Sequence, residues 1–166
     1  MFPAPLLEEA HRLLAAYRAR GFKIATAESC TGGLIAGALT EITGASDVVT
    51  CGFVPYSNAA KEAVLGVPHH VLVADGAVSA SVARAMAAGA LARGSADVAV
   101  ATTGIAGPGG GSADKPVGLI YLAVAVRGGP ARDLECRFGN LGRAAVRLKA
   151  VEAAFSLLWQ AIGAPP

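Results

Sequence analysis

Apolar residues at Leu6, Leu7, Ala10, Leu13, Leu14 and Tyr17 form a helical stripe, which predicts a first helix over Leu6 to Arg20 with Gly21 as its stop. FKIATA, Phe22 to Ala27, is a continuous apolar run of strand length and leads into ESCTGG. From Thr31 the pattern of Ile35, Leu39 and Ile42 predicts a short helix ended by Gly44. Asp47 to Val54 is rich in β-branched residues and predicts a second strand that ends at Pro55. A short helix follows in YSNAAKEAVLG, with Ser57 or Asn58 as N-cap, and the stretch around Pro68 and Asp75 reads as turn. SASVARAMAAGALARG predicts an Ala-rich helix capped by Ser79 or Ser81. Strands are then expected at Asp97 to Thr103, Val117 to Val126 and, after a GGP turn, Asp133 to Phe138. The last segment, Leu141 to Ile162, is helical, with Leu148, Val151, Phe155 and Leu158 on one stripe.

This order places parallel crossovers first and a meander after them. The expected fold is α/β: a three-layer α/β/α sandwich with helices on both faces of a mixed, mostly parallel five-stranded sheet. The 166 residues suit one domain, residues 1–166, around a single core. Hydrophobic residues make up 54% and charged residues 16%, a balance that excludes disorder.

Charge narrows the partners. The formal net charge is only +2, Lys and Arg are scattered, and aromatic residues are 5%, so neither nucleic acid nor a membrane is the expected partner. No run of apolar residues reaches membrane-spanning length, and the first residues lack a signal pattern, so the expected location is cytoplasmic. Cys30, Cys51 and Cys136 are widely spaced and match neither a zinc site nor a disulfide framework, so no metal or cofactor is expected. An Ala-rich helix surface would suit a homo-oligomer.

Glycine changes the picture most. It fills 21 positions, about twice the usual share, and concentrates in loops that follow predicted strands. In open α/β sheets ligands gather at the carboxyl ends of strands, so these loops form one candidate site. The first holds Glu28, Ser29, Cys30, Thr31, Gly32 and Gly33. A small nucleophile at such a strand-to-helix turn is held exposed, and free N–H groups at the helix start can stabilise an oxyanion or hold a phosphate. The plainer reading makes Ser29 or Thr31 a helix N-cap.

A nucleophile needs a base. Lys61 lies 32 residues after Ser29, one β-α crossover further on, and a desolvated lysine can take a proton from a hydroxyl. Tyr56, on the same loop, is placed to relay the proton or orient the lysine. His69 and His70 are the rival bases; they lie beside Pro68 without an acidic partner at recognisable spacing and read as surface or turn residues. Cys30 is the rival nucleophile, without a histidine partner.

The third loop runs Thr103-Gly104-Ile105-Ala106-Gly107-Pro108-Gly109-Gly110-Gly111-Ser112, with Asp114, Lys115 and Pro116 after it. Its backbone N–H groups and Lys115 are candidates to hold a phosphate or ribose, although it matches neither a P-loop nor a Rossmann fingerprint. Arg143 and Arg147, four apart on the last helix, make one basic face, and Arg143 is the stronger candidate to meet a phosphate. The candidate binding set is thus Cys30, Thr31, Gly32, Gly33, Thr103, Gly104, Gly107, Gly109, Gly110, Lys115 and Arg143, beside the catalytic candidates Ser29, Tyr56 and Lys61.

Thr26 to Ser46, Gly52 to Val67 and Thr103 to Tyr121 together resemble the CinA C-terminal domain family, the nicotinamide-nucleotide amidohydrolases. The resemblance implies a three-layer α/β/α fold with a mixed five-stranded sheet. It also implies hydrolysis of the carboxamide of nicotinamide mononucleotide to nicotinate mononucleotide and ammonia. By motif, Ser29 is then the nucleophile, Lys61 the base and Tyr56 the assistant, in a stand-alone form of the domain. A non-catalytic nucleotide sensor or partner-binding domain is the alternative. The chain departs from the family pattern at Pro55, where a small polar residue is expected. It departs again at Phe138-Gly139-Asn140-Leu141-Gly142-Arg143, where a Phe-x-Gly-Asp-Arg pattern is expected; this leaves the role of Arg143 open.

Overall fold

The computed structural model describes residues 2–163. In chain order the elements are α1 (Ala4–Ala19), β1 (Ile24–Glu28), α2 (Leu34–Thr40), β2 (Val49–Phe53), α3 (Asn58–Leu65), α4 (His69–Asp75), α5 (Ala80–Arg93), β3 (Val98–Gly104), β4 (Leu119–Val126), β5 (Arg132–Arg137) and α6 (Arg143–Ala161). The sheet order is β2-β1-β3-β4-β5. β1 pairs in parallel with both β2 and β3, whereas β4 is antiparallel to β3 and to β5. Four strands therefore point one way and only β4 runs back.

Side-chain size differs between the two faces of the central strands. Val98 and Val100 of β3 and Ile120, Leu122 and Val124 of β4 pack into one core with α1, α2 and α6. Their alternating neighbours Ala99, Ala101, Ala123 and Ala125 face Ala83, Met86, Ala87 and Ala90 of α5. Alternation of large and small residues on a pleated strand therefore sets one helical layer close to the sheet and the other further away. Ala83, Ala87 and Ala90 of α5 are buried, while Ala88 and Ala92 remain exposed. Close approach continues on the far side of α5, where a Cβ on Gly89 would stand 2.1 Å from the Leu65 carbonyl oxygen of α3. On the other face the buried Tyr17 hydroxyl donates to the Leu158 carbonyl at 2.8 Å and ties α1 to α6.

The helix caps are local. Ser57 accepts from the Ala60 N–H at 3.1 Å, and Ser79 accepts from the Val82 N–H at 3.4 Å. One element differs from the sequence expectation. The stretch between Pro68 and Asp75 is a helix, α4, because Pro68 occupies the N-cap, where its missing N–H is no loss. Only Leu72 of α4 is buried, so no apolar stripe announces it.

The topology fixes where a ligand would sit. The chain leaves β1 to one side to form β2, then crosses to the other side to form β3. The crevice between the β1 and β3 carboxyl ends is the switch point of the sheet. Among the described residues no helix is long and apolar enough to cross a membrane.

Candidate active site

Ser29 follows β1 directly, at that switch point, and its N–H donates to the Thr102 carbonyl of β3 at 3.0 Å. The turn closes when the Gly32 N–H donates back to the Ser29 carbonyl at 3.1 Å. Gly32 and Gly33 have φ of 60° and 94°, the left-handed region that glycine enters at little cost. The cap of α2 is neither Ser29 nor Thr31. It is Glu28, fully buried, whose carboxylate accepts from the N–H groups of Gly33, Ile35 and Ala36 at 3.1, 2.9 and 2.8 Å. A carboxylate at a helix start satisfies orphan donors and meets the positive end of the helix dipole. With Gly32 and Gly33 so engaged, Cys30 and Thr31 carry the N–H groups of this turn that give no backbone hydrogen bond among the described residues; both lie by the Cys30 sulfur.

Ser29 keeps its hydroxyl free of capping. It is 9% exposed, and its Oγ accepts from the Lys61 Nζ at 3.0 Å. Lys61 is 1% exposed and also donates to the Pro55 and Tyr56 carbonyls at 3.1 and 3.3 Å. These carbonyls exist as acceptors because the chain leaves β2 in an extended turn at Pro55 before α3 begins. No carboxylate pairs with the Lys61 ammonium among the described residues. Burial pulls its pKa below 10.5, because the charged form gives up hydration, against a smaller opposing effect of Cys30. The shift favours the neutral amine relative to an exposed lysine.

The rival groups fare differently. Burial pushes the Cys30 thiol up to about 11, against a smaller opposing effect of a Thr102 hydrogen bond, so little thiolate exists at neutral pH. His69 pairs with Glu62 at 3.0 Å, an acidic partner across the α3–α4 turn, and both side chains are on the surface. His70 is exposed, and neither histidine hydrogen-bonds to Ser29.

Tyr56 is 61% exposed. Its carbonyl serves Lys61, while its hydroxyl accepts from Arg143 at 3.2 Å. Arg143 opens α6 and also donates to the Gly107 carbonyl at 3.0 Å, so it bridges the glycine-rich loop and the Tyr56 loop despite its altered sequence context. Thr31 is buried, with its hydroxyl 2.8 Å from that of Thr102. Thr103 donates to the Ala77 carbonyl at 2.7 Å. Gly104 packs so tightly that a Cβ would lie 2.5 Å from the Ile120 Cδ1. Gly109 and Gly110 are exposed at the loop tip. Lys115 is turned to α4, where it donates to the Asp75 carbonyl at 2.7 Å. Two contributors lie outside the candidate set: Glu28, and Arg147, which the sequence marks only as part of a basic face with Arg143 and which donates to the Thr31 carbonyl at 2.6 Å. An acid directly before a glycine-rich helix start was the available signal for Glu28.

A cavity of about 540 Å³ lies at the other edge of the sheet, lined by Ala88, Leu91, Ser95 and Arg127 among others. Arg127 is occupied by Asp97 and the Ala96 carbonyl, and the Ser95 hydroxyl has no hydrogen-bonded base among the described residues. The nucleophile–base geometry is at the switch point instead. No three His, Cys, Asp or Glu side chains gather into a ligand set among the described residues.

The CinA C-terminal domain description matches residues 7–162, and the chain belongs to that family. The competence/damage inducible protein CihA from Agrobacterium tumefaciens is 52% identical, with a TM-score of 0.94 and 98% of each chain covered. A CinA superfamily protein from Klebsiella pneumoniae is 35% identical, with a TM-score of 0.90 and 95% of this chain and 98% of that one covered. A CinA-like protein of Anaeromyxobacter dehalogenans is 49% identical over 146 residues, which are 88% of this chain and 35% of that protein. The chain spans about a quarter to a third of the length of the curated relatives it matches.

Proposed function

We propose that this protein is an amidohydrolase that converts nicotinamide mononucleotide to nicotinate mononucleotide and ammonia. The observation that carries the reading is the buried Lys61 Nζ, without a carboxylate partner, 3.0 Å from the Ser29 Oγ. A solvated helix lysine would lie on the surface, and a structural buried lysine would have an anion.

Neutral Lys61 takes the hydroxyl proton as the Ser29 oxygen attacks the carboxamide carbon. The Cys30 and Thr31 N–H groups, which give no hydrogen bond to a backbone carbonyl, are the candidate donors for the oxyanion. Lys61 returns the proton to the nitrogen, ammonia leaves, and an acyl ester remains on Ser29. Water then attacks that ester as Lys61 accepts its proton; Lys61 passes the proton to the Ser29 oxygen as the acyl bond breaks, and nicotinate mononucleotide departs. Direct transfer between Lys61 and Ser29 needs no relay, so Tyr56 contributes its carbonyl to the lysine and its hydroxyl to Arg143. The rim of Tyr56, Arg143 and the Gly107 to Gly110 loop would take the nucleotide, with Arg143 as the cation for its phosphate.

Purified protein incubated with nicotinamide mononucleotide is expected to release ammonia and nicotinate mononucleotide in equal amounts. Ser29→Ala is expected to abolish both while retaining the nucleotide. Full turnover by Ser29→Ala would overturn the scheme, and binding without release by the unaltered protein would favour a sensor.

A further inference from the structure

Arg147 lies one turn beyond Arg143 on α6 and reaches back to the nucleophile turn. Its NH2 donates to the Thr31 carbonyl at 2.6 Å. The N–H of that same Thr31–Gly32 peptide donates to the Ser29 carbonyl at 3.1 Å. One peptide plane is thus held on both sides, by a guanidinium from α6 and by the backbone of the serine itself. Two further features single this contact out. The Arg147 Nε is buried and has no hydrogen-bond partner. A Cβ at Gly32 would stand 3.3 Å from the Arg147 NH2, so the guanidinium occupies the space that a side chain there would need.

A buried donor without an acceptor disfavours folding, so the placement of Arg147 calls for a reason other than stability. We infer that Arg147 is a positioning residue for the Ser29 reaction: it clamps the Thr31–Gly32 peptide so that the turn holds the Ser29 Oγ in its reactive arrangement. A charge-assisted hydrogen bond polarises the peptide it reaches and strengthens the Gly32 N–H that closes the turn. This rests on the serine-nucleophile reading but not on the identity of the amide.

The test uses two probes on the full chain: turnover of nicotinamide mononucleotide, and the rate at which a fluorophosphonate labels Ser29. Arg147→Met keeps the apolar stem and removes the clamp. It is expected to lower kcat and the labelling rate by roughly 10²-fold, as small misplacements of reacting groups do, with KM changed less than about twofold. Arg147→Lys, which keeps the charge and one donor, should recover part of that loss. Lys149→Met on the same helix, where the exposed lysine meets only Glu152, should leave both readouts unchanged. Should Arg147→Met fail to fold, Arg147→Gln carries the same split. Wild-type kcat and labelling in a folded Met or Gln variant would overturn the inference alone, as would a rise in KM at constant kcat. A wild-type protein inert to both probes would overturn the serine reading and the inference with it.

Discussion

Two glycine-rich segments leave the same edge of the sheet and are held in opposite ways. In the Ser29 to Gly33 turn most backbone groups are spoken for: the Ser29 N–H by Thr102, the Gly32 N–H by Ser29, the Gly33 N–H by Glu28, and the Thr31 carbonyl by Arg147, which leaves the Cys30 and Thr31 N–H groups without a backbone acceptor among the described residues. The loop between β3 and β4 is tied at its roots, by Ile105 and Gly118 to β4 and to each other. Arg143 adds a hold at Gly107, and Lys115 accepts from Ser112 through its carbonyl. At its exposed tip neither Gly109 nor Gly110 makes a backbone hydrogen bond among the described residues. Glycine does different work in the two places. In the turn it allows left-handed backbone under dense constraint, which suits a reacting group that must not move. In the loop it leaves donors uncommitted, which suits a partner that brings its own acceptors.

The largest effect should come from the rigid side. Lys61→Met removes the base and is expected to lower kcat by about 10³-fold or more, checked by ammonia release. In the unaltered protein kcat/KM should rise with pH through a pKa below 10.5, because neutral Lys61 is the active form. Stability follows the same sign. The folded pKa is depressed, so the unfolded chain binds more protons between that value and 10.5, and stability relative to Lys61→Met should rise with pH across that window. Denaturant titrations at neutral pH and near pH 10 would measure it; a flat difference would mean that Lys61 is not desolvated.

Next comes the support of the turn. Glu28→Ala leaves three buried or part-buried N–H groups at the start of α2 without an acceptor. The expected loss is roughly 3 kcal/mol, read from urea unfolding. A loss below about 1 kcal/mol would show that water replaces the carboxylate easily.

How far the sequence foretold this depends on where each interaction's partner lies. The layers and the sheet were legible because hydrophobic periodicity is local: β3 and β4 read as apolar runs and α1 as a stripe. The gathering of Ser29, Lys61 and the glycine-rich loop at one edge followed from the crossover pattern. Glu28 left only a faint signal, its place before a glycine-rich helix start, since its partners are backbone N–H groups, which every residue has and no side chain reports. α4 was missed because one buried residue, Leu72, makes no period. Lys115 read as a phosphate ligand because nothing nearby in the chain claims it; its acceptor, the Asp75 carbonyl, is 40 residues away.

Substituting the glycines themselves sharpens the contrast. Gly32→Ala forces an L side chain to φ 60° and sets a Cβ 3.3 Å from the Arg147 NH2, so a loss of about 2 kcal/mol with a fall in kcat is expected. Equal activity and stability in Gly32→Ala would mean that the turn is far softer than its hydrogen bonds imply.

Gly109→Ala should give the smallest change, and it separates recognition from rigidity. Gly109 has no positive φ, and a Cβ there meets nothing within 4 Å. The folded state therefore accepts alanine without strain, while the unfolded chain loses conformational freedom. The expected result is stabilisation by about 0.5 kcal/mol or slightly more. With the chemistry 29–61 pair untouched, kcat should hold. KM for the nucleotide is the informative number: an added methyl at the tip would hinder a phosphate or ribose that approaches the backbone closely, so KM should rise severalfold if the loop binds the substrate. An unchanged KM would assign recognition to Arg143 and Tyr56, and leave the tip as a connection that glycine merely shortens.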